Sequence, residues 1–211
     1  MIRLMMGTAM LLVLAVPSAP AGTKSSHDDP LRASARVEAP DAVAMALVAA
    51  ARRQTWVPVV YSPSYVKIGY PMGDVPWYLG VCTDVVVRAY RALGVDLQEL
   101  VHKTGVGSGD TNIDHRRVEV LRKFFARAGE SLPVSRDLAS YKAGDLVTFH
   151  LPNGNFSKTH IAIVSDRKSA KGTPLIIHNR GFGTQEEDWL STEKITGHYR
   201  FFPSATRSAA G

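Results

Sequence analysis

The chain changes character once, near Leu132 and Pro133. Before that point apolar residues recur at spacings of three and four. After it come short β-branched or aromatic runs: Asp145 to Pro152, His160 to Asp166, Pro174 to Asn179 and Gly197 to Phe202. Apolar residues repeating at helical spacing predict amphipathic helices, and compact runs of this composition predict strands. The turn signals Lys142-Ala-Gly144-Asp145 and Asn153-Gly154-Asn155 separate successive runs, so a mostly antiparallel meander laid against helices is the economical arrangement. That is an α+β plan. With 211 residues, 45% of them hydrophobic, the chain can build one domain with a sizeable core, and it contains no internal repeat.

In the first half, Asp41 is placed to cap a helix reaching about Gln54, with Val43, Leu47 and Ala50 on one face. Val57 to Tyr61 reads as a short strand, held to an edge by Pro58. Gly69, Pro71, Gly73, Pro76 and Gly80 then punctuate a loop from Tyr65 to Val81. The loop leaves Tyr70, Asp74, Trp77 and Tyr78 without an obvious core. It either shapes a cleft, or Trp77 and Tyr78 cover the core. Gly80 to Gly94 predicts the central helix, with Val86, Ala89, Tyr90 and Leu93 as its buried stripe and Gly94 ending it. A helical turn and a Gly-rich loop are expected over Leu97 to Thr111. A further helix is expected from Asp114, burying Val118, Leu121 and Phe125 and stopping at Gly129, with His115 exposed in its first turn.

The termini read as separate from this domain. Arg3, an apolar run from Ala9 to Val16 and Ala19-Pro20-Ala21 have the order of a secretory signal peptide, residues 1–21, with cleavage after Ala21. The apolar run falls far short of the ~20 residues needed to cross a bilayer. Residues 22–40 read as a flexible leader, 41–203 as the domain and 204–211 as a frayed tail. A secreted or periplasmic protein is expected, without stable membrane insertion after cleavage. The formal charge of +6 suits attraction to anionic polymers. Its basic residues are scattered, however, and Arg116, Arg117, Arg122, Lys123 and Arg127 read as a solvated helix face, so no nucleic-acid partner is expected.

Cys82 is the single cysteine. It allows no internal disulfide, and it lies too deep in the chain to carry a lipoprotein anchor. One reading makes it a small buried hydrophobe. The other uses its position at a helix start, where unpaired N–H groups and the dipole favour a thiolate nucleophile. A nucleophilic thiol needs a base, and the base needs a third group to fix its ring. His160 opens one strand and His178 nearly ends the next, and in adjacent antiparallel strands such positions are neighbours. A metal site from His150, His160, His178 and His198 is the rival reading. The chain has neither His-Glu-x-x-His nor Cys-x-x-Cys, so neither a metal nor another cofactor is expected.

Cys82-Thr83-Asp84, Gly144-Asp145-Leu146-Val147, His160-Ile161-Ala162-Ile163-Val164 and Ile176-Ile177-His178 together resemble the NlpC-type cell-wall peptidases of the papain-like superfamily. CTDVVVRAYRALGVDLQELV, NIDHRR, HIAIVSDR, IIHNRG and ITGHYR resemble more closely a family of secreted bacterial proteins catalogued as a domain of unknown function, over about Ala44 to Phe202. The resemblance implies a papain-like (NlpC-like) fold and a cysteine peptidase or amidase cutting peptide or amide bonds of peptidoglycan through a thioester. Cys82 would be the nucleophile, held as a thiolate/imidazolium pair with His160 as base and then acid. His178 would orient His160, with Asn179 in reserve. Asp84, Tyr70, Tyr78 and Asn179 are the candidate substrate-binding residues. Asp84 could instead cap the helix, and Tyr70 or Tyr78 could donate to the oxyanion. The chain departs from those peptidases in having Cys-Thr-Asp for their usual Asp-Cys-Ser and in a longer segment between helix and sheet. A thiol acyltransferase, a protein-directed amidase and an inactive cell-wall binding module remain the alternatives.

Overall fold

A computed structural model describes residues 30–203, with side chains from residue 41 onward. The expected signal peptide (1–21), the first part of the leader (22–29) and the tail (204–211) lie outside the described residues. Helix α1 (Pro30–Arg53) begins earlier than expected. Residues 30–40 are helical, not a flexible leader. The Ala, Arg, Glu and Leu content of this stretch favours a helix, and proline is tolerated at a first helical position. Leu47, Val48, Ala50 and Ala51 bury the inner face of α1.

A short 3-10 turn over Gln54–Trp56 ends α1 and leads to β1 (Val60–Tyr61), which pairs in parallel with β2 (Leu79–Gly80). The strand expected from Val57 is thus confined to its last two residues, since Pro58 has no N–H to contribute to a ladder. Next comes α2 (Cys82–Arg91), with Val86, Ala89 and Tyr90 fully buried. Gly94 lies just beyond it at φ +77°, in the left-handed conformation that favours glycine after a helix.

Helix α3 (Leu97–Thr104), a 3-10 turn over Asp114–Arg116 and α4 (Val118–Ala128) follow. His115 is 2% exposed, contrary to its expected surface position. Its turn packs against α2, α3 and α4 together, which closes it off from water.

The strands are β3 (Glu130–Leu132), β4 (Leu146–His150), β5 (Thr159–Lys168), β6 (Pro174–Asn179), β7 (Thr184–Glu187) and β8 (Lys194–Arg200). They form one antiparallel sheet in the order β3-β8-β4-β5-β6-β7. The sheet packs against α1, α2 and α4, as the α+β reading expects. Strand alternation separates two cores. Ile161, Ile163 and Ile177 join Cys82, Val86 and Leu121 on the helical side. Ala162, Val164 and Ile176 join Phe149, Tyr141 and Leu190 on the other. Edge strands β3 and β7 lack the β-branched runs of the inner strands, and so were not expected. Among the described residues no helix is long and apolar enough to cross a membrane.

Candidate active site

Cys82 is the first residue of α2 and is 4% exposed. Val81 precedes it in extended conformation and has no side-chain oxygen with which to cap the helix. Asp84 reaches back instead, its Oδ2 accepting the Val81 N–H at 2.7 Å. The same carboxylate receives Arg116 Nε on Oδ1 at 2.8 Å and Nη2 on Oδ2 at 3.0 Å, with both side chains nearly inaccessible. Asp84 therefore caps the helix and neutralises a buried guanidinium. Its oxygens are committed within the fold, which leaves the substrate-binding reading unsupported. Arg116, expected on a solvated helix face, is buried with it.

Cys82 lines a cleft of about 500 Å³ together with Tyr61, Tyr65, Arg117 and Val118. Burial pushes the Cys82 thiol up to about 11. Hydrogen bonds from the N–H groups of Ile161 and Thr83 and from the Tyr61 hydroxyl work against that rise without cancelling it. Burial, followed by the neighbouring thiol, likewise raises Tyr61, keeping its hydroxyl a proton donor. Desolvation thus outweighs the helix-start effect expected from the sequence.

The contact with the N–H of Ile161 puts the sulfur one peptide link from the backbone of His160. The His160 ring packs between Phe149 and Trp189, with centroids 6.2 and 5.7 Å away. It borders a small chamber of about 40 Å³ that shares Tyr61, Phe156, Ser157 and Thr159 with the Cys82 cleft. Thiol and imidazole therefore border adjoining parts of one depression.

His160 Nε2 lies 2.8 Å from His178 Nδ1, and His178 Nε2 lies 2.9 Å from Glu187 Oε1. Arg180 donates to the same Glu187 oxygen at 3.0 Å. The hydrogen bond from His178, reinforced by Arg180, holds Glu187 down to about 2 against the opposing effect of burial. An ionised carboxylate only accepts, so His178 carries its proton on Nε2 and presents a lone pair at Nδ1. His160 must then donate from Nε2, which leaves its Nδ1 as the basic nitrogen. The chain of bonds selects both tautomers.

Burial, with His178 and Arg180 adding to it, holds His160 well below the usual histidine range. The resting pair at neutral pH is a thiol and a neutral imidazole. Burial thus works against the separate charges of the expected thiolate/imidazolium pair.

The structure brings His160 and His178 into direct contact, and Asn179 does not take the orienting place. Asn179 Oδ1 instead accepts the Gly181 N–H at 3.1 Å within the turn after β6. Tyr70 and Tyr78 do not line the cleft. Tyr70 packs on His102 with centroids 5.3 Å apart, and Tyr78 lies edge-on to Trp77 at 5.7 Å, both largely exposed. Tyr61 is the tyrosine at the thiol.

Two residues of the site had escaped the sequence reading. Tyr61 closes the run whose β-branched residues had marked a strand; its pairing with β2, which ends at Gly80 just before the helix, is what brings it to Cys82. Glu187 stands in a polar strand, and its signal was the hairpin formed by β6 and β7 around Gly181 and Gly183. The four histidines of the metal reading do not converge. His198 bonds to Pro133 and Asp145, and His150 is exposed. Among the described residues no three His, Cys, Asp or Glu side chains are arranged to hold a metal ion.

The family described as "Domain of unknown function (DUF1287)" matches residues 48–201, and the chain belongs to it. A relative from Escherichia coli (strain K12), the uncharacterized protein YijF, is 45% identical over 170 residues, covering 75% of this chain and 82% of that protein. A solved structure from Staphylococcus aureus subsp. aureus Mu50, described as similar to lipoprotein of the NLP/P60 family, aligns at 14% identity with a TM-score of 0.42. The alignment covers 78% of this chain and 43% of the staphylococcal one.

Proposed function

We propose that this protein is a cysteine amidohydrolase of papain-like, NlpC-type architecture, acting outside the cytoplasm on peptide or amide bonds of peptidoglycan. The observation that carries the reading is the Glu187–His178–His160 chain, which leaves His160 Nδ1 outside the relay, on a ring bordering a chamber that shares four lining residues with the Cys82 cleft. The order of motifs along the chain and the signal-like amino terminus support the substrate and the location.

In this reading a carbonyl carbon enters above Cys82. His160 Nδ1 takes the thiol proton as sulfur forms its bond to that carbon, so ion-pair formation and attack are concerted and no thiolate need accumulate. The backbone N–H of Cys82 and the Tyr61 hydroxyl hold the oxyanion. Collapse breaks the C–N bond, and His160 passes its proton to the departing amine. Water then attacks the thioester, giving a proton to the same nitrogen. The C–S bond breaks and the thiol is restored. Throughout, Glu187 and His178 stabilise the imidazolium that forms twice per cycle.

Incubating the protein with purified peptidoglycan and mapping the products by mass tests this directly. New muropeptides should form and should vanish with Cys82→Ala. Identical products from that variant would overturn the thiol mechanism. Transfer of the acyl group to an added amine, with no hydrolysis, would move the assignment to an acyltransferase.

A further inference from the structure

A second groove lies on the opposite side of β1 from the thiol. It encloses about 440 Å³ between the segment Thr55 to Val60 and the turn Phe182 to Thr184. Its lining includes two aromatic rings, Trp56 and Phe182. Trp56 is 80% exposed and Phe182 is 79% exposed. Two solvent-facing rings of this size lining one depression are unusual without a ligand to cover them, because each leaves a large apolar face in water.

Local structure holds both rings outward. Trp56 ends the 3-10 turn after α1, and Pro58 two residues on keeps the chain extended there. Phe182 stands between Gly181 at φ +137° and Gly183 at φ +82°, two conformations that favour glycine. The backbone of Val59 comes close to Gly183, bringing together the two segments that line the groove. The volume falls within the ~300–1,000 Å³ of small-ligand clefts.

We infer that this groove binds the neutral sugar rings of a glycan strand, holding the polymer while the Cys82 cleft works on an attached peptide. The inference rests on the peptidoglycan reading above and adds a second contact to it. None of the nine lining residues is ionisable, in a chain whose formal charge is +6, so the groove complements an uncharged ligand. A pyranose ring offers apolar C–H faces to stack on aromatic rings, and hydroxyls at its edge for backbone groups and Thr184. Continuity with the cleft gives the geometry. Val60 lines the groove, and its neighbour Tyr61 lines the catalytic depression, so one two-residue strand separates the sites. On the other flank Gly181 approaches Phe156, which borders the thiol cleft.

The test uses the full chain carrying Cys82→Ala and, as probe, immobilised strands of β-1,4-linked N-acetylglucosamine, which carry no charge. The parent should be retained by the strands, and Trp56→Ala and Phe182→Ala should each bind ~10-fold more weakly, with unchanged thermal midpoints. Trp56→Tyr should restore most of the loss. No retention of the parent, or equal retention of the alanine variants, overturns the inference. So does finding that Trp56→Ala abolishes self-association or adhesion to phospholipid vesicles while glycan binding persists. Because binding needs no bond cleavage, its failure leaves the amidohydrolase reading standing. Failed hydrolysis, conversely, leaves the glycan groove standing.

Discussion

The sheet carries two buried histidine networks at opposite strand ends. Where β4 begins, the fully buried Asp145 accepts from His198 Nε2 at 2.8 Å and from Arg200 Nε at 2.8 Å, while His198 Nδ1 faces the Pro133 carbonyl at 3.1 Å. Where β5 begins, His160 engages only one ring nitrogen, through His178 and Glu187. The ingredients match: histidine, carboxylate and arginine. At His198 both nitrogens are engaged by oxygens of the fold, and the ring stacks under Tyr141 at 4.2 Å. At His160 the relay leaves Nδ1 outside it, on a ring that borders a chamber adjoining the Cys82 cleft. Being buried and bonded to a carboxylate therefore does not distinguish a reactive histidine from a structural one. In the proposed reaction the unspent nitrogen of His160 makes that distinction.

That contrast can be broken experimentally. The largest separation should come from His160→Ala, which is expected to lower kcat/KM on the peptidoglycan substrate ~10⁴-fold with the fold intact. His198→Ala should leave the rate per folded molecule within ~3-fold and lower the thermal midpoint instead. If the two exchange these effects, the assignment of roles is wrong.

Asp145→Asn comes next. Replacing a fully buried carboxylate that serves both a histidine and an arginine should cost ~3–5 kcal/mol in a denaturant titration, without changing the rate of the molecules that remain folded. Glu187→Gln keeps the side-chain shape but supplies an amide that can donate to His178, reversing the relay. The expected loss is ~10²-fold in kcat, since the wrong tautomer of His160 becomes populated. The acid limb of its pH profile, which lies below 6.5 because His160 is held down, should move lower still, as Glu187 opposes that depression.

The smallest effect concerns His115, a fourth buried ring, whose Nδ1 has no hydrogen-bond partner among the described residues. Burial lowers its pKa from 6.5 to about 4. Between those values the unfolded chain binds more protons than the folded one, so stability rises with pH over this window and is lost as pH falls through it. The loss attributable to His115 is ~2–3 kcal/mol, and His115→Gln should flatten the acid limb of a stability-versus-pH curve by about that amount.

The thiol end of the site was more legible in the sequence than the base end. Cys82, its helix and the capping role of Asp84 depend on residues within a few positions of one another, and local spacing reports such arrangements well. His160 and His178 were legible because they fall in strongly apolar strands whose turns can be recognised. Tyr61 and Glu187 were not, since each is positioned by pairing: a two-residue parallel contact in one case and a polar edge strand in the other. His115 was misread for a related reason. Three helices enclose its turn, and no short window of sequence records that enclosure.

The parallel pairing of Val60 with Leu79 and Tyr61 with Gly80 has one more implication. Hydroxyl and thiol are brought together by a clasp whose halves are separated by seventeen residues of chain, 62–78. A single-residue slip in the clasp would turn Tyr61 to the opposite side, so its register admits no drift. The intervening residues carry no such obligation, and they border the cleft at Pro63 and Tyr65. In the proposed reaction, what is cut and how it is cut would thus be set by separable pieces of chain, the loop varying while the clasp keeps Tyr61 at the thiol.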